Sequence, residues 1–270
     1  MTLPYHENTL REMELWSYLA LARPQNPDVP AEPATVEAPA RGNPAMAANR
    51  QPAVPRAGAP TATRVVVPSA PPAPIDPARA ANIATLDWDG LVRESSACHA
   101  CGLCRQRKQA VLGVGAQNAP WLLIGEGPGA DEDEQGEPFV GAAGKLLDAM
   151  LTAIGLQRGR EVYIANVVKC RPPGNRTPST DEALACAPFL DRQIDLIQPK
   201  LIVALGKTAV TRLTGSDASM ASLRGKMHQY RDIPMIATYH PAYLLRNLPD
   251  KVKAWEDLMF AKRAFVTASR

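Results

Sequence analysis

No stretch of this chain approaches the roughly 20 consecutive apolar residues of a membrane span. The first twenty residues carry Glu7, Arg11, Glu12 and Glu14 where a secretory signal needs an unbroken apolar run. The expectation is a soluble, cytoplasmic protein with reduced thiols and no membrane contact. Strong charge of one sign is lacking too. The 30 Lys and Arg barely exceed the 27 Asp and Glu, an excess too small to mark a nucleic-acid binder by itself. Residues 1–80 hold no Lys, and their seven Arg are balanced by seven acids, so the whole +3 belongs to the remainder. Large apolar side chains are scarce between Pro24 and Pro77, where 14 of 54 residues are Pro and 13 are Ala. Such a stretch cannot offset its own conformational entropy, so residues 23–80 read as a disordered, locally polyproline linker. The folded domain is expected over 81–270.

Residues 1–22 hold a short helical candidate. Thr9-x-x-Glu12 reads as a capping box, and Leu10, Met13, Trp16 and Leu19 recur on one face. A helix this short is marginal alone, and the linker gives it reach. It either folds back onto its own domain or serves as a docking peptide for a protein partner; the second is slightly favoured. A monomer is expected otherwise.

From Ala119 onward, short apolar runs alternate with helical segments. Trp121–Ile124 reads as a buried strand ending in the turn Gly125-Glu126-Gly127-Pro128-Gly129. Gly144–Gly155 reads as an amphipathic helix, Val162–Val168 as a second strand, and Thr180–Gln198 as a helix stopped by Pro199. Leu201–Leu205 and Met235–Thr238 supply two more strands, and Lys251–Val266 a terminal helix. The alternation implies a three-layer αβα fold with a short central parallel sheet. Ligands of such a sheet bind at the carboxyl ends of its strands. The Gly125 turn, the segment Asn166–Arg171 and His240 all fall there.

Singly, each feature has a bland explanation. The glycine turn could be only tight, Asn166 a strand-end cap, Phe139 core, His240 structural, and Glu132 part of a solvated acidic run, Asp131 to Glu134. Their convergence on one sheet edge argues for a site. Five cysteines frame the same segment: Cys98-x2-Cys101-x2-Cys104, then Cys170, then Cys186. They are too widely split for one redox dithiol, and four such thiolates suit a tetrahedral zinc site or an iron–sulfur centre.

Residues 90–265 resemble the iron–sulfur uracil-DNA glycosylases, the type often called family 4. The resemblance rests on Gly125-Glu126-Gly127-Pro128-Gly129, Pro138-Phe139-Val140-Gly141, Asn166-Val167-Val168-Lys169-Cys170-Arg171-Pro172-Pro173, Asn175-Arg176-Thr177-Pro178 and His240-Pro241-Ala242-Tyr243-Leu244-Leu245-Arg246. It implies a DNA-repair hydrolase that flips uracil out of DNA and cleaves its N-glycosidic bond. It further implies a uracil pocket of Gly125, Gly127, Phe139, Asn166 and His240. Phe139 stacks on the base, Asn166 reads N3–H and O4, and neutral His240 donates to O2. Leu244 matches the wedge that fills the vacated stack, and Arg246, Lys169, Arg171 and Arg176 are expected to face phosphates. Where the best-known uracil glycosylases have a water-positioning aspartate, this chain has Gly127. Glu126 and Glu132 are the candidate catalytic carboxylates, neither assigned as the base. By the same resemblance Cys98, Cys101, Cys170 and Cys186 ligate a structural [4Fe–4S] cluster, with Cys104 left over. A related group cross-links to its abasic product through a histidine in an inserted basic loop. Arg171–Thr177 has neither insertion nor histidine, which argues for turnover. A non-catalytic DNA-polymerase accessory module is the other alternative, and one in which so complete a pocket would be superfluous.

Overall fold

In the computed structural model the described residues are 76–268; the expected N-terminal helix and residues 23–75 of the expected linker lie outside them. Helical structure is present before residue 81, because Asp76 Oδ1 accepts from Ala78 N (3.0 Å) and Pro77 takes the first helical position. Helix α1 therefore spans Pro77–Thr85, across the boundary expected at residue 81. Helix α2, Trp88–Ala97, is capped in turn by Asp87, which accepts from Gly90 N (2.7 Å).

The strands are β1 (Val114–Gly115), β2 (Trp121–Gly125), β3 (Val162–Asn166), β4 (Leu201–Leu205), β5 (Met227–Tyr230) and β6 (Ile233–Thr238). They form one sheet in the order β1-β3-β2-β4-β6-β5. The inner four run parallel and match the four expected runs, while the edges β1 and β5 pair antiparallel. The helices that follow α2 are α3 (Ala130–Gln135), α4 (Ala142–Ala153), α5 (Thr180–Ile197), α6 (Lys207–Thr214), α7 (Met220–Leu223), α8 (Pro241–Leu244) and α9 (Lys251–Ala268).

Side chains alternate across the sheet with the strand period of two. Leu122, Ile124, Ala165, Ile202 and Ala204 face Phe189, Leu190 and Ile194 of α5, with Ile83 and Leu91 behind them. Leu123, Ile164, Val203 and Leu205 face Leu147 and Leu151 of α4 and Ala261 of α9. Covering both faces keeps β2, β3 and β4 buried along their whole length. Each fully buried Leu or Ile contributes about 1.5–3 kcal/mol. The expected three-layer fold is thus present, with a mixed rather than wholly parallel sheet. Among the described residues no helix is long and apolar enough to cross a membrane.

The second strand stops at Asn166 rather than Val168. Beyond it Val167 N donates to Gly125 O (2.9 Å) and Val168 N to Glu126 O (3.2 Å). These bonds carry the chain from the strand end across the glycine turn and fix the start of the Lys169-Cys170 segment.

Candidate active site

Parallel pairing sets Gly125, the last residue of β2, opposite Asn166, the last of β3. A Cβ on Gly125 would lie 2.4 Å from Asn166 Oδ1 and 2.7 Å from Phe139 Cζ, so only glycine leaves room for both side chains. Phe139 is buried and has φ of 56°, a left-handed conformation unusual for an aromatic residue. Such strain costs about 1–3 kcal/mol and persists only when the surroundings over-determine it. Here they do. Arg158 donates to Pro138 O (2.7 Å) and Phe139 O (2.8 Å) and is itself held by Asp148. Glu132 Oε1 accepts from Val140 N (3.0 Å) and Gly141 N (3.2 Å), and its Oε2 from Gly129 N (3.0 Å). Gly144 completes the fit, since a Cβ there would meet Phe139 O at 1.8 Å.

His240 leaves the end of β6 and caps α8: its Nδ1 accepts from Ala242 N (3.1 Å). An N–H donor requires an unprotonated Nδ1, so the neutral ring carries its proton on Nε2. Burial, and then the charge of Arg246, pull the imidazole down to about 4. Gly206 lets the ring approach, with φ of 87° and a hypothetical Cβ only 2.9 Å from His240 Cβ. The ring stacks on Phe139 at a centroid distance of 5.4 Å.

Phe139, Asn166 and His240 line one cavity of about 470 Å³, together with Glu126, Gly127 and Glu132. Arg176 and Arg246 lie on its wall and are exposed. Asn166 is 1% exposed and its Oδ1 has no hydrogen-bond partner. A buried amide oxygen left unpaired costs about 1–3 kcal/mol, and this one belongs to a residue lining an open cavity. The two candidate carboxylates differ in what holds them. Glu132 is tied to three main-chain N–H groups of its own loop, whereas Glu126 Oε2 accepts from the Thr208 hydroxyl at the start of α6.

Two expected DNA contacts are corrected. Leu244 is 1% exposed and packs with Leu146, Met150 and Leu258, because the single turn of α8 presses its apolar face against α4 and α9. The exposed leucines are its neighbours Leu245, at 41%, and Leu248, at 42%. Lys169 is also 1% exposed; its Nζ donates to Asn166 O (2.8 Å) and Gln193 Oε1 (2.5 Å) and cannot reach a phosphate. Burial pulls this amine down to about 8, against Cys186, Asp191 and Cys170, which favour its charge. Arg171 remains at the surface, donating to Asn175 Oδ1 (2.7 Å), and Arg176 makes a two-pronged pair with Glu182.

The five cysteines are all free thiols, and all five border one small void with Arg107 and Lys169. No carboxylate or imidazole lines it. N–H groups converge on the sulfurs: Arg107 donates to Cys170 Sγ (2.9 Å), Lys169 N to Cys186 Sγ (3.3 Å) and Arg79 to Cys98 Sγ (3.4 Å). Burial raises the thiols of Cys101 and Cys170, and raises Cys186 to about 12. Among the described residues no three acidic, His or Cys side chains are grouped as a ready single-ion site.

Sequence reasoning missed Arg158, Thr208, Gln193 and Arg107. Each acts on a partner at least 19 residues away, and no local pattern signals such a pair.

The strand-end cavity with its asparagine, phenylalanine and histidine falls within residues 112–259, which match the family model of the uracil DNA glycosylase superfamily. That sets the class. Within it, the chain is 42% identical over 189 residues to the type-4 uracil-DNA glycosylase of Sulfurisphaera tokodaii, covering 67% of this chain and 86% of the relative. It is 46% identical over 158 residues to that of Pyrobaculum aerophilum (56% and 80% covered) and 44% identical over 169 residues to that of Thermotoga maritima (61% and 88%). The chain belongs to the type-4 uracil-DNA glycosylases.

Proposed function

We propose that this protein is a DNA-repair hydrolase that extrudes uracil from DNA, cleaves its N-glycosidic bond and leaves an abasic site. The observation that carries the reading is the orphaned Oδ1 of Asn166, buried beside the strained Phe139 ring and across from a neutral histidine. Uracil supplies what that oxygen lacks. Its N3–H donates to Oδ1, its O4 accepts from the amide NH2, and its ring stacks on Phe139. The His240 Nε2–H meets O2, where negative charge develops as the C1′–N1 bond breaks. The bonding electrons leave with uracil N1, water adds to C1′, and the proton released goes to a base or to solvent. Glu126 is the better-placed carboxylate for that water, because Glu132 is engaged in holding the Phe139 loop. Arg246, Arg176 and Arg171 serve the phosphates.

The cysteine-lined void supports a [4Fe–4S] cluster held by Cys98, Cys101, Cys170 and Cys186. A lining that carries five thiols and no carboxylate or imidazole, with N–H donors on sulfur, suits a soft, thiolate-ligated centre. When bound, the cluster supplies structural cross-linking: it pins the loop after α2 to α5 and to the segment after β3. The deciding experiment incubates the protein with an oligonucleotide containing one uracil, cleaves abasic sites with alkali and resolves the products on a gel. Cleavage at the uracil is expected, and an intact strand would overturn the reading.

A further inference from the structure

Glu126 and Glu132 share the cavity wall but not the manner of their support. Three main-chain N–H groups grip Glu132. At Glu126 the main chain is fixed, since its carbonyl accepts from Val168 N (3.2 Å), but a glutamate side chain keeps its rotamer freedom unless something beyond the turn holds it. Among the described residues that hold comes from the Thr208 hydroxyl, which donates to Glu126 Oε2. Thr208 does not line the cavity; it stands behind the carboxylate, in the first turn of α6. That helix leaves β4, which lies between β2 and β6 in the sheet, and it is fixed by its buried Ala209, Val210 and Leu213. Its N-cap, Gly206, donates from N to Thr238 O (2.8 Å), the last residue of β6. One turn of helix therefore rests on β6, two residues short of His240, and reaches across to β2, whose end carries Glu126.

We propose that Thr208 is a positioning residue for base excision: its hydroxyl holds Oε2 of Glu126, so that Oε1 is presented to the water that adds to C1′. This rests on the glycosylase reading above and on the role given there to Glu126. Thr208 touches neither the base nor the water, and it acts only through the carboxylate. A hydroxyl that merely stabilised the fold would, when removed, lower the melting temperature and leave the rate alone, or lower the rate equally whether or not Glu126 is present.

The test uses the full chain in single turnover on an oligonucleotide carrying one uracil, with the inhibition constant of free uracil read alongside. Thr208→Val keeps the shape and removes the donor, Thr208→Ser keeps the donor, and Glu126→Ala is made alone and together with Thr208→Val. A reacting group misplaced by about 1 Å loses up to about 10²-fold in rate, so Thr208→Val is expected to excise at least about tenfold more slowly. Its half-saturating DNA concentration and its inhibition by free uracil should stay parental, and Thr208→Ser should keep the parental rate. In the Glu126→Ala background, adding Thr208→Val should change nothing, because residues acting through one contact are not additive. A parental rate in Thr208→Val, a serine variant as slow as the valine one, or the same loss in the Glu126→Ala background overturns the proposal. Should Thr208→Val not fold, Thr208→Ala takes its place with the same expectations. A parental rate in Glu126→Ala would instead sink the role given to Glu126, and a parent protein without uracil excision would sink the glycosylase reading.

Discussion

Arg158 donates one N–H to the main-chain oxygen of Phe139 (2.8 Å) from a loop beyond α4. The contact holds an aromatic residue in a conformation it would otherwise leave. Arg158→Met is expected to cost about 1–3 kcal/mol of stability through the unpaired carbonyls. A reacting base misplaced by even an ångström loses up to about 10²-fold in rate, so single-turnover excision should fall by at least about tenfold. Thermal melts and rapid-quench rates on one preparation check both. Parental excision would show that the Phe139 loop holds itself.

His240→Ala is expected to lower the single-turnover rate by about 10²-fold or more with little change in DNA affinity, the pattern of an interaction made chiefly in the transition state. The pH dependence follows from the lowered pKa, about 4 in the fold against about 6.5 in an unfolded chain. Between those values the unfolded chain binds more protons, so this group's contribution to stability is full above about 6.5 and is lost as the pH falls toward 4. Excision should therefore show no histidine titration between pH 6 and 8. A limb with an apparent pKa near 6.5 that vanishes in His240→Ala would contradict the neutral donor.

Asn166→Asp calls for a change of specificity. A carboxylate still accepts from uracil N3–H but repels O4, while toward cytosine it accepts from the 4-amino group and, if protonated, donates to N3. Mismatched hydrogen-bond patterns discriminate by up to about 10⁴-fold. Uracil excision should fall steeply and the cytosine-to-uracil ratio rise. Matched oligonucleotides measure both rates, and an unchanged ratio with intact uracil excision would remove Asn166 from base reading.

Anaerobically purified protein is expected to be brown, absorbing near roughly 400 nm as iron–sulfur thiolate centres do. Cys170→Ala and Cys186→Ala should bleach it and lower its melting temperature. Cys104→Ala is expected to keep the colour although Cys104 borders the same void. Stoichiometric zinc in a colourless protein would replace the cluster assignment.

The inner strands were legible because burial on both faces makes them continuous apolar runs, as Trp121–Ile124 and Leu201–Leu205 are. The edges were not: β1 is two residues long, and β5 alternates exposed with half-buried side chains that carry no apolar signature. Helices α1 and α2 owe their starts to Asp76 and Asp87, whose capping bonds precede short segments with few large apolar side chains. Phe139, Asn166 and His240 could be grouped from sequence because a parallel sheet gathers its strand ends. Leu244 and Lys169 could not be oriented that way. Motif position says which residue is present, whereas one turn of helix against α4 and a buried glutamine decide which way it faces.

The opposition of Gly125 and Asn166 across two parallel strands has a consequence for folding fidelity. A slip of one residue would put Ile124 beside the amide and turn every side chain of the strand to the other face. Bulk would then stand where the cavity requires none, and the core would be lost with the cavity. A mispaired chain would thus lack the cavity rather than hold a looser one. In this protein, faithful assembly and safe chemistry are one requirement.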